Sequence, residues 1–297
     1  MNINTIVLAA GEGSRMKSNR AKTLQKIGGK TMLEMICQTA AKVSSKIILI
    51  IGFDKESVIK ESENFDLNII ACEQPEPKGT GDAVKCGVGE AEDADKALIL
   101  YGDVPLISQD TLQKLIHSSK EGISILTTVL DNPYGYGRVK KDEDGSVIAI
   151  VEEKDATTEE KEIKEIFTGV LCSSINILKD GLNELDNHNA AGEFYLTDIV
   201  SIMNNRGIKV DTHMTSNNEV KGANSHEELA ELEAIYRSMN VKDILEMGIT
   251  VSDPARLDVR GRVSSGKDCS IDVNVILEGD IKLGDNVSIG PNCVIKN

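Results

Sequence analysis

The sequence predicts an α/β domain on a mixed, mostly parallel sheet, then one helix, then a short stub of parallel β-helix. Three observations predict it. Short apolar runs alternate with helix-like segments over most of the chain, one helical period occupies 225–248, and apolar residues then recur every six positions from Leu257 onward. The first pattern marks strands buried on both faces with helices between them. The last marks a stack of short coils.

The chain has 297 residues, enough for one large or two modest domains. A formal charge of −15 and a pI near 4.8 exclude general affinity for nucleic acid or anionic membranes. A phosphorylated substrate would then need a local cationic pocket or a metal ion. Cys37, Cys72, Cys86, Cys172, Cys269 and Cys293 show no metal-ligand spacing, no signal peptide is evident, and no apolar run has membrane-span length. The expectation is a reduced, cytoplasmic protein with no integral membrane association. With no Trp and 3% aromatics, it has few platforms for stacking single-stranded nucleic acid.

The strands are read at "TIVLAA" (5–10), "KIILIIG" (46–52), "LNIIAC" (67–72), "KALILYGD" (96–103) and "ISILTTVL" (123–130). Between the first two, Thr31–Val43 places Met32, Ile36 and Ala40 on one helical face. "RVKKDEDGSVIAIVEE" (138–153) carries Asp144-Gly145 between two alternating runs and reads as a hairpin added to the sheet. From Ser225 to Gly248, Leu229, Leu232, Ile235, Tyr236 and Met239 keep helical spacing, as in a connector between two bodies. Leu257, Val263, Cys269, Val275, Ile281, Val287 and Cys293 then stand six apart. Val259, Ser265, Ile271, Leu277, Leu283, Ile289 and Ile295 follow in step two residues later. This is a hexapeptide repeat, in which each coil stacks its apolar residues on the next.

The turn after the first strand, "GEGSRM", resists the common phosphate fingerprints. A dinucleotide fingerprint requires glycine where Met16 stands, and a Walker-type loop requires Gly-Lys there. A plain strand-to-helix turn would use Gly11 and Gly13 for positive φ, but it leaves Arg15 and Lys22 unexplained. Two glycines at the carboxyl end of a parallel strand let backbone N–H groups approach a phosphate. Arg15 and Lys22 could neutralise a polyphosphate there.

"LAAGEGSRMKSNRAK" resembles the GxGxRM…PK signature of sugar-nucleotide pyrophosphorylases. The resemblance implies a Rossmann-like nucleotidyltransferase domain whose loop, Leu8, Ala9, Ala10, Gly11 and Gly13, wraps a nucleoside triphosphate. Arg15 and Lys22 would stabilise its phosphates. Ala21 stands where the family usually has proline, which is expected to loosen the loop. "GTGDAV" (79–84), "LYGDVPLI" (100–107), "GYGRV" (135–139), "IVEEKDAT" (150–157), "GEFYLTDIV" (192–200) and "EVKGAN" (219–224) narrow the match. With the helix and the hexapeptides, they resemble the bacterial bifunctional N-acetylglucosamine-1-phosphate uridylyltransferases/glucosamine-1-phosphate acetyltransferases, end to end. Implied domains are a nucleotidyltransferase domain at 1–224, a connector helix at 225–248 and an incomplete left-handed β-helix at 249–297.

The resemblance assigns roles residue by residue. Asp103, otherwise a turn or cap residue, implies a Mg²⁺ ligand. Asn224, otherwise an N-cap, implies the second ligand on the sugar side. Gly79 and Thr80, with Tyr101 and Gly102, would border the nucleotide, and Gln74 is the candidate reader of the base. Gly137 and Glu152 would hold the sugar, while Tyr195 and Thr197 would shape its acyl-amino pocket. Tyr195 could equally be a buried structural residue. Phe167 stands where family members carry asparagine, so either a neighbour takes over a hydroxyl contact or sugar preference has shifted. His188, His213 and His226 lack paired spacing and read as surface residues.

The implied reaction joins UTP and N-acetylglucosamine 1-phosphate into UDP-N-acetylglucosamine and pyrophosphate, for peptidoglycan and lipopolysaccharide precursors. Arg15, Lys22 and Asp103 would be catalytic, and the cofactor would be Mg²⁺. Alternatives are another sugar phosphate or dTTP, or a non-catalytic regulatory subunit. Because the hexads cover only Leu257 to Ile295, the expectation is uridylyl transfer without acetyl transfer, and a homotrimer weakened by its short β-helix.

Overall fold

The computed structural model describes residues 1–119 and 122–297 and divides into two units. The first comprises Met1–Gln25 and Met32–Asn224, and the second Lys26–Thr31 and Ser225–Asn297.

The chain opens with β1 (Ile3–Leu8), the short pair β2 (Lys26–Ile27) and β3 (Lys30–Thr31), α1 (Met32–Ala40) and β4 (Lys46–Ile51). Next come α2 (Lys55–Ser62), β5 (Ile69–Glu73), α3 (Thr80–Gly87), β6 (Lys96–Tyr101), α4 (Gln109–Ser118) and β7 (Ile123–Val129). The hairpin β8 (Arg138–Lys141) and β9 (Val147–Val151) precedes α5 (Thr158–Lys161) and β10 (Glu165–Ser174). α6 (Ile175–Glu184), α7 (Asp198–Asn205), β11 (Val210–Met214) and α8 (Asn217–Val220) complete the first unit.

Among the described residues its sheet has nine strands, in the order β11-β7-β10-β6-β1-β4-β5, with β8 and β9 attached through β10. The ordered strands run parallel except β10, which is antiparallel to both β6 and β7. Successive residues of the central strands alternate between two apolar layers. Val7, Leu49 and Leu98 face the layer containing α1 and α4, whereas Ile6, Ile48 and Ile99 face the layer containing α3, α6 and α7. Burial on both faces is why these strands read as unbroken apolar runs.

β10 is a strand that the apolar pattern of the sequence does not mark. Its register shifts between Phe167 and Leu171, and Gly169 has φ +90°. A Cβ at Gly169 would stand 2.6 Å from the Tyr101 ring, so glycine permits both the bulge and the close approach. The hairpin turns at Asp142–Ser146, with Gly145 at φ +82°.

In the second unit, α9 (His226–Glu246) begins at Ser225, whose side chain accepts from Glu228 N at 3.2 Å. The expected apolar stripe is only partly an inner face: Leu232 is buried, but Met239 is 42% exposed. The helix divides its apolar residues between partners within this unit. Tyr236 packs its ring on Gly28, and Glu233 accepts the Gly28 N–H at 2.8 Å. Val241 and Ile244 join the apolar cluster of the coils.

Those coils use β12 (Thr250–Val251), β13 (Leu257–Ser265), β14 (Ser270–Ile271), β15 (Val275–Leu283), β16 (Ser288–Ile289) and β17 (Val294–Lys296). Their parallel partners, such as Leu257 with Val275 and Ile276 with Val294, lie three hexads apart in the chain. Asp268, Asn274, Asn286 and Asn292 occupy corners with φ near +60°, a conformation that short Asx side chains tolerate. Among the described residues, no helix is long and apolar enough to cross a membrane.

Candidate functional site

β1 and β6 run parallel and in register to their ends, Leu8 beside Tyr101. Their following loops therefore emerge together at the carboxyl edge of the sheet, where open α/β sheets collect ligands. The first loop turns at Gly13, with φ +63°, into a single turn at Ser14–Met16, and Met16 is buried as an anchor. A Cβ at Gly13 would stand 2.7 Å from Lys22 Cβ, so glycine is what lets the loop's two arms touch. The Ala21 N–H donates to Asp54 Oδ2 at 2.9 Å, and Ala21 has φ −52°. The expectation that alanine loosens this loop is thus corrected: φ is close to proline's, and the N–H makes a bond proline could not.

The loop delivers Lys22 to the centre of the site. Its ammonium donates to Asp103 Oδ2, forming an ion pair, and to Asn224 Oδ1 at 3.0 Å. The Lys22 and Asp103 side chains are 15% and 14% exposed. Five residues before Asn224, Glu219 ties α8 to the segment after β6: it accepts from Ser108 N at 3.1 Å, Thr111 Oγ1 at 2.6 Å and Thr215 Oγ1 at 3.2 Å. Gly222 passes so near that a Cβ would lie 3.4 Å from Asp103 Oδ2.

Two cavities meet at Tyr101 and Asp103. One, of about 300 Å³, is bordered by Leu8, Ala10, Gly11, Lys22, Gln74, Gly79 and Thr80. The other, of about 200 Å³, is bordered by Gly137, Glu152, Phe167, Thr197 and Asn224. In the first, the Gln74 side-chain nitrogen donates to Gly79 O at 3.1 Å and Asp82 Oδ2 at 2.8 Å. The carboxylate partner fixes which end of the amide is the donor. Gly79 has φ +116° and lies against the Phe194 backbone. Thr80 Oγ1 accepts Leu196 N at 3.0 Å and also bonds Tyr101. Its hydroxyl thus braces the wall of the site. Burial raises the Tyr101 phenol, which stays protonated. Gly102 packs on Thr23 and the Leu8 carbonyl.

In the second cavity, Thr197 Oγ1 donates to Glu152 Oε1 at 2.9 Å. Burial raises the Glu152 carboxyl, and the Thr197 bond opposes that rise. Phe167 is 5% exposed and belongs to an apolar cluster with Ile125, Val139 and Leu171 while bordering the cavity. Tyr136 and Thr197, which carry hydroxyls, border the same cavity.

Three expected residues stand apart from this convergence. Arg15 is exposed on its one-turn helix and forms no ion pair with the described residues. Ala9 is buried beneath the loop. Tyr195 borders neither cavity and bonds Asp155, with its phenol pushed up to about 12 by burial and then by Asp155 and Glu152. His213 is half-buried in β11, whereas His188 and His226 are exposed. The sequence reading missed the ion pair of buried Arg138 with half-buried Glu153, beside the second cavity. An arginine within "GYGRV" was the available signal.

Asp103 and Asn224 fit a hard cation: both oxygens already converge on one cationic point, the Lys22 ammonium. Among the described residues no group of three or more His, Cys, Asp or Glu could hold a metal. Water and substrate oxygens would have to complete the coordination.

A family described as MobA-like NTP transferase domain matches residues 5–138, and bacterial transferase hexapeptide (six repeats) matches 266–297. The chain is 44% identical to "Bifunctional protein GlmU" of Francisella philomiragia, over 100% of this chain and 66% of that protein. It is also 44% identical to "Bifunctional protein GlmU" of Neisseria meningitidis serogroup B, over 99% of this chain and 64% of that one. It therefore spans just under two thirds of these relatives. A solved Bacillus anthracis structure named for glucose-1-phosphate thymidylyltransferase shares the fold, with a TM-score of 0.62 at 20% identity, over 78% of this chain and 94% of that one.

Proposed function

We propose that this chain, which belongs to the family of bifunctional GlmU proteins, transfers the uridylyl group of UTP to N-acetylglucosamine 1-phosphate. The products would be UDP-N-acetylglucosamine, a cell-envelope precursor, and pyrophosphate. The observation that carries this reading is the convergence of Lys22, Asp103 and Asn224 where the two cavities meet.

The first cavity would take UTP, its triphosphate along the Leu8–Gly13 loop and its base beside Gln74. With its nitrogen committed to Gly79 and Asp82, Gln74 presents its carbonyl oxygen, a match for uracil N3–H. Thymine offers the same N3–H, so UTP and dTTP must be told apart elsewhere. The sugar phosphate would lie in the second cavity against Gly137, Glu152 and Thr197, its phosphate toward Asp103. One of its phosphate oxygens attacks the α-phosphorus of UTP. The new P–O bond forms as the α–β bridging P–O bond breaks, and the electron pair leaves with pyrophosphate. No covalent enzyme intermediate is needed, so the protein's work is positioning and charge stabilisation. Lys22 would neutralise the triphosphate, and Arg15 would do so once the loop closes on it. A divalent cation, Mg²⁺ in this reading, would be held by Asp103 and Asn224 and supply charge neutralisation between two anionic substrates.

The reading includes a cytoplasmic location and self-association through the hexapeptide coils. Pyrophosphate release with UTP or dTTP, crossed against a panel of sugar 1-phosphates, tests it. Asp103→Ala should lower kcat by about a thousandfold with the fold intact, since a metal ligand at the chemical centre is worth several kcal/mol. Undiminished activity in that variant would remove Asp103 from the chemistry. The Phe167 wall favours a second reading, a sugar less polar than N-acetylglucosamine. Native preference for such a sugar on the same panel would replace the first.

A further inference from the structure

Arg138 is the largest fully buried side chain among the described residues, 2% exposed, and a charge is rarely buried without a structural or functional reason. Its Nη1 donates to the Tyr136 carbonyl, and its Nη2 to Glu153 Oε2 at 2.5 Å. The same Glu153 oxygen accepts Gly135 N at 3.2 Å. The guanidinium and Glu153 therefore tie the 135–137 loop to the end of β9. Gly135, Tyr136 and Gly137 border the sugar-side cavity from one side of this tie, and Glu152 borders it from the other. Tolerances are small: a Cβ at Gly137 would come within 2.7 Å of Ile150, and Gly137 O accepts Phe167 N at 2.9 Å.

The buried Arg138 Nε has no partner among the described residues. A buried, partly satisfied guanidinium paired with a half-buried carboxylate is a poor device for stability alone, and a fork spanning two segments is suited to setting geometry. We propose that Arg138 is a positioning residue for the sugar phosphate, its fork holding the Tyr136–Gly137 backbone and, through Glu153, the segment carrying Glu152. This rests on the uridylyltransferase reading above.

The test uses the full chain and measures KM and kcat for each substrate. If the unaltered protein releases no pyrophosphate with any sugar phosphate, the functional reading falls and this proposal with it. If it is active, Arg138→Lys should raise KM for the sugar phosphate about tenfold, the scale of one lost charge-assisted hydrogen bond. KM for UTP and kcat should stay within about twofold. An unchanged sugar KM with only a lower melting temperature would make Arg138 merely structural and overturn the proposal. The double variant Arg138→Met/Glu153→Gln leaves neither charge buried alone. It should melt above Arg138→Met yet keep the raised sugar KM, and it decides the matter if Arg138→Lys does not fold. A sugar KM restored to the native value in the double variant would also overturn the proposal.

Discussion

Lys22 is asked to do two things. Its ammonium engages the oxygens of Asp103 and Asn224, yet the proposed reaction needs it on the triphosphate. An ammonium and a divalent cation cannot share one point, so a cation held by Asp103 and Asn224, as proposed, would have to displace Lys22. Lys22→Met should therefore tighten Mn²⁺ binding to the substrate-free protein by about tenfold, the effect of removing one competing unit charge at a half-screened site, while lowering kcat. Titration followed by the EPR signal of free Mn²⁺ checks the first half, and unchanged or weaker binding would refute the exchange. Asp198 carries a separate signature. Burial, then Glu152, Asp186 and Asp155, push its carboxyl up to about 6. The unfolded value is about 4, so between these values the native state binds the extra proton. That contribution to stability is complete below about pH 4 and is lost as pH rises through about 6. Asp198→Asn should melt above the native protein at pH 8 and match it near pH 4. An equal difference at both pH values would show that the side chain acts by packing.

At the scale of elements, the loop after β1 is held by a bond that the family's usual proline would forbid. Ala21→Pro fits the existing φ of −52° and restricts the unfolded chain, worth about 0.4–1 kcal/mol. It also deletes the hydrogen bond to Asp54, costing about 1–3 kcal/mol for a bond to a charged acceptor. The net expectation is destabilisation by about 1 kcal/mol, measured by denaturant melts. A stabilised variant would mean that Asp54 finds another partner. The same loop shows what sequence can reveal. Gly13 and Lys22 are legible because their relation is local, and the strands from β1 to β7 are legible because burial on both faces leaves continuous apolar runs. The hexads are legible because each coil repeats one environment. β10 is hidden because its bulge at Gly169 interrupts the pattern and its residues also border the cleft. Arg138 is hidden for another reason: nothing in a sequence distinguishes a buried arginine from a solvated one.

At the scale of the molecule, the two units are not two consecutive stretches of chain. Residues 26–31 belong with α9 and the coils, although the chain returns at Met32 to the first unit. Within the second unit, β2 and β3 rely on α9: Glu233 accepts the Gly28 N–H, and the Tyr236 ring covers Gly28, where any Cβ would overlap it. A fragment ending at Asn224 keeps both apolar layers of the sheet but strips this hairpin of those partners. A two-stranded ribbon without a packing surface is marginal in water, so the segment should open locally while the sheet stays folded. Trypsin reads this directly, because Lys26 and Lys30 lie inside the hairpin. Cleavage at these lysines should be at least about tenfold faster in the 1–224 fragment than in the whole chain, as expected when about 1.4 kcal/mol of local stability is lost and opening is fast relative to cleavage. Circular dichroism should show the fragment's sheet and helices retained. Equal cleavage rates would mean that the hairpin draws its order from the first unit, and the division of the chain would have to be redrawn there.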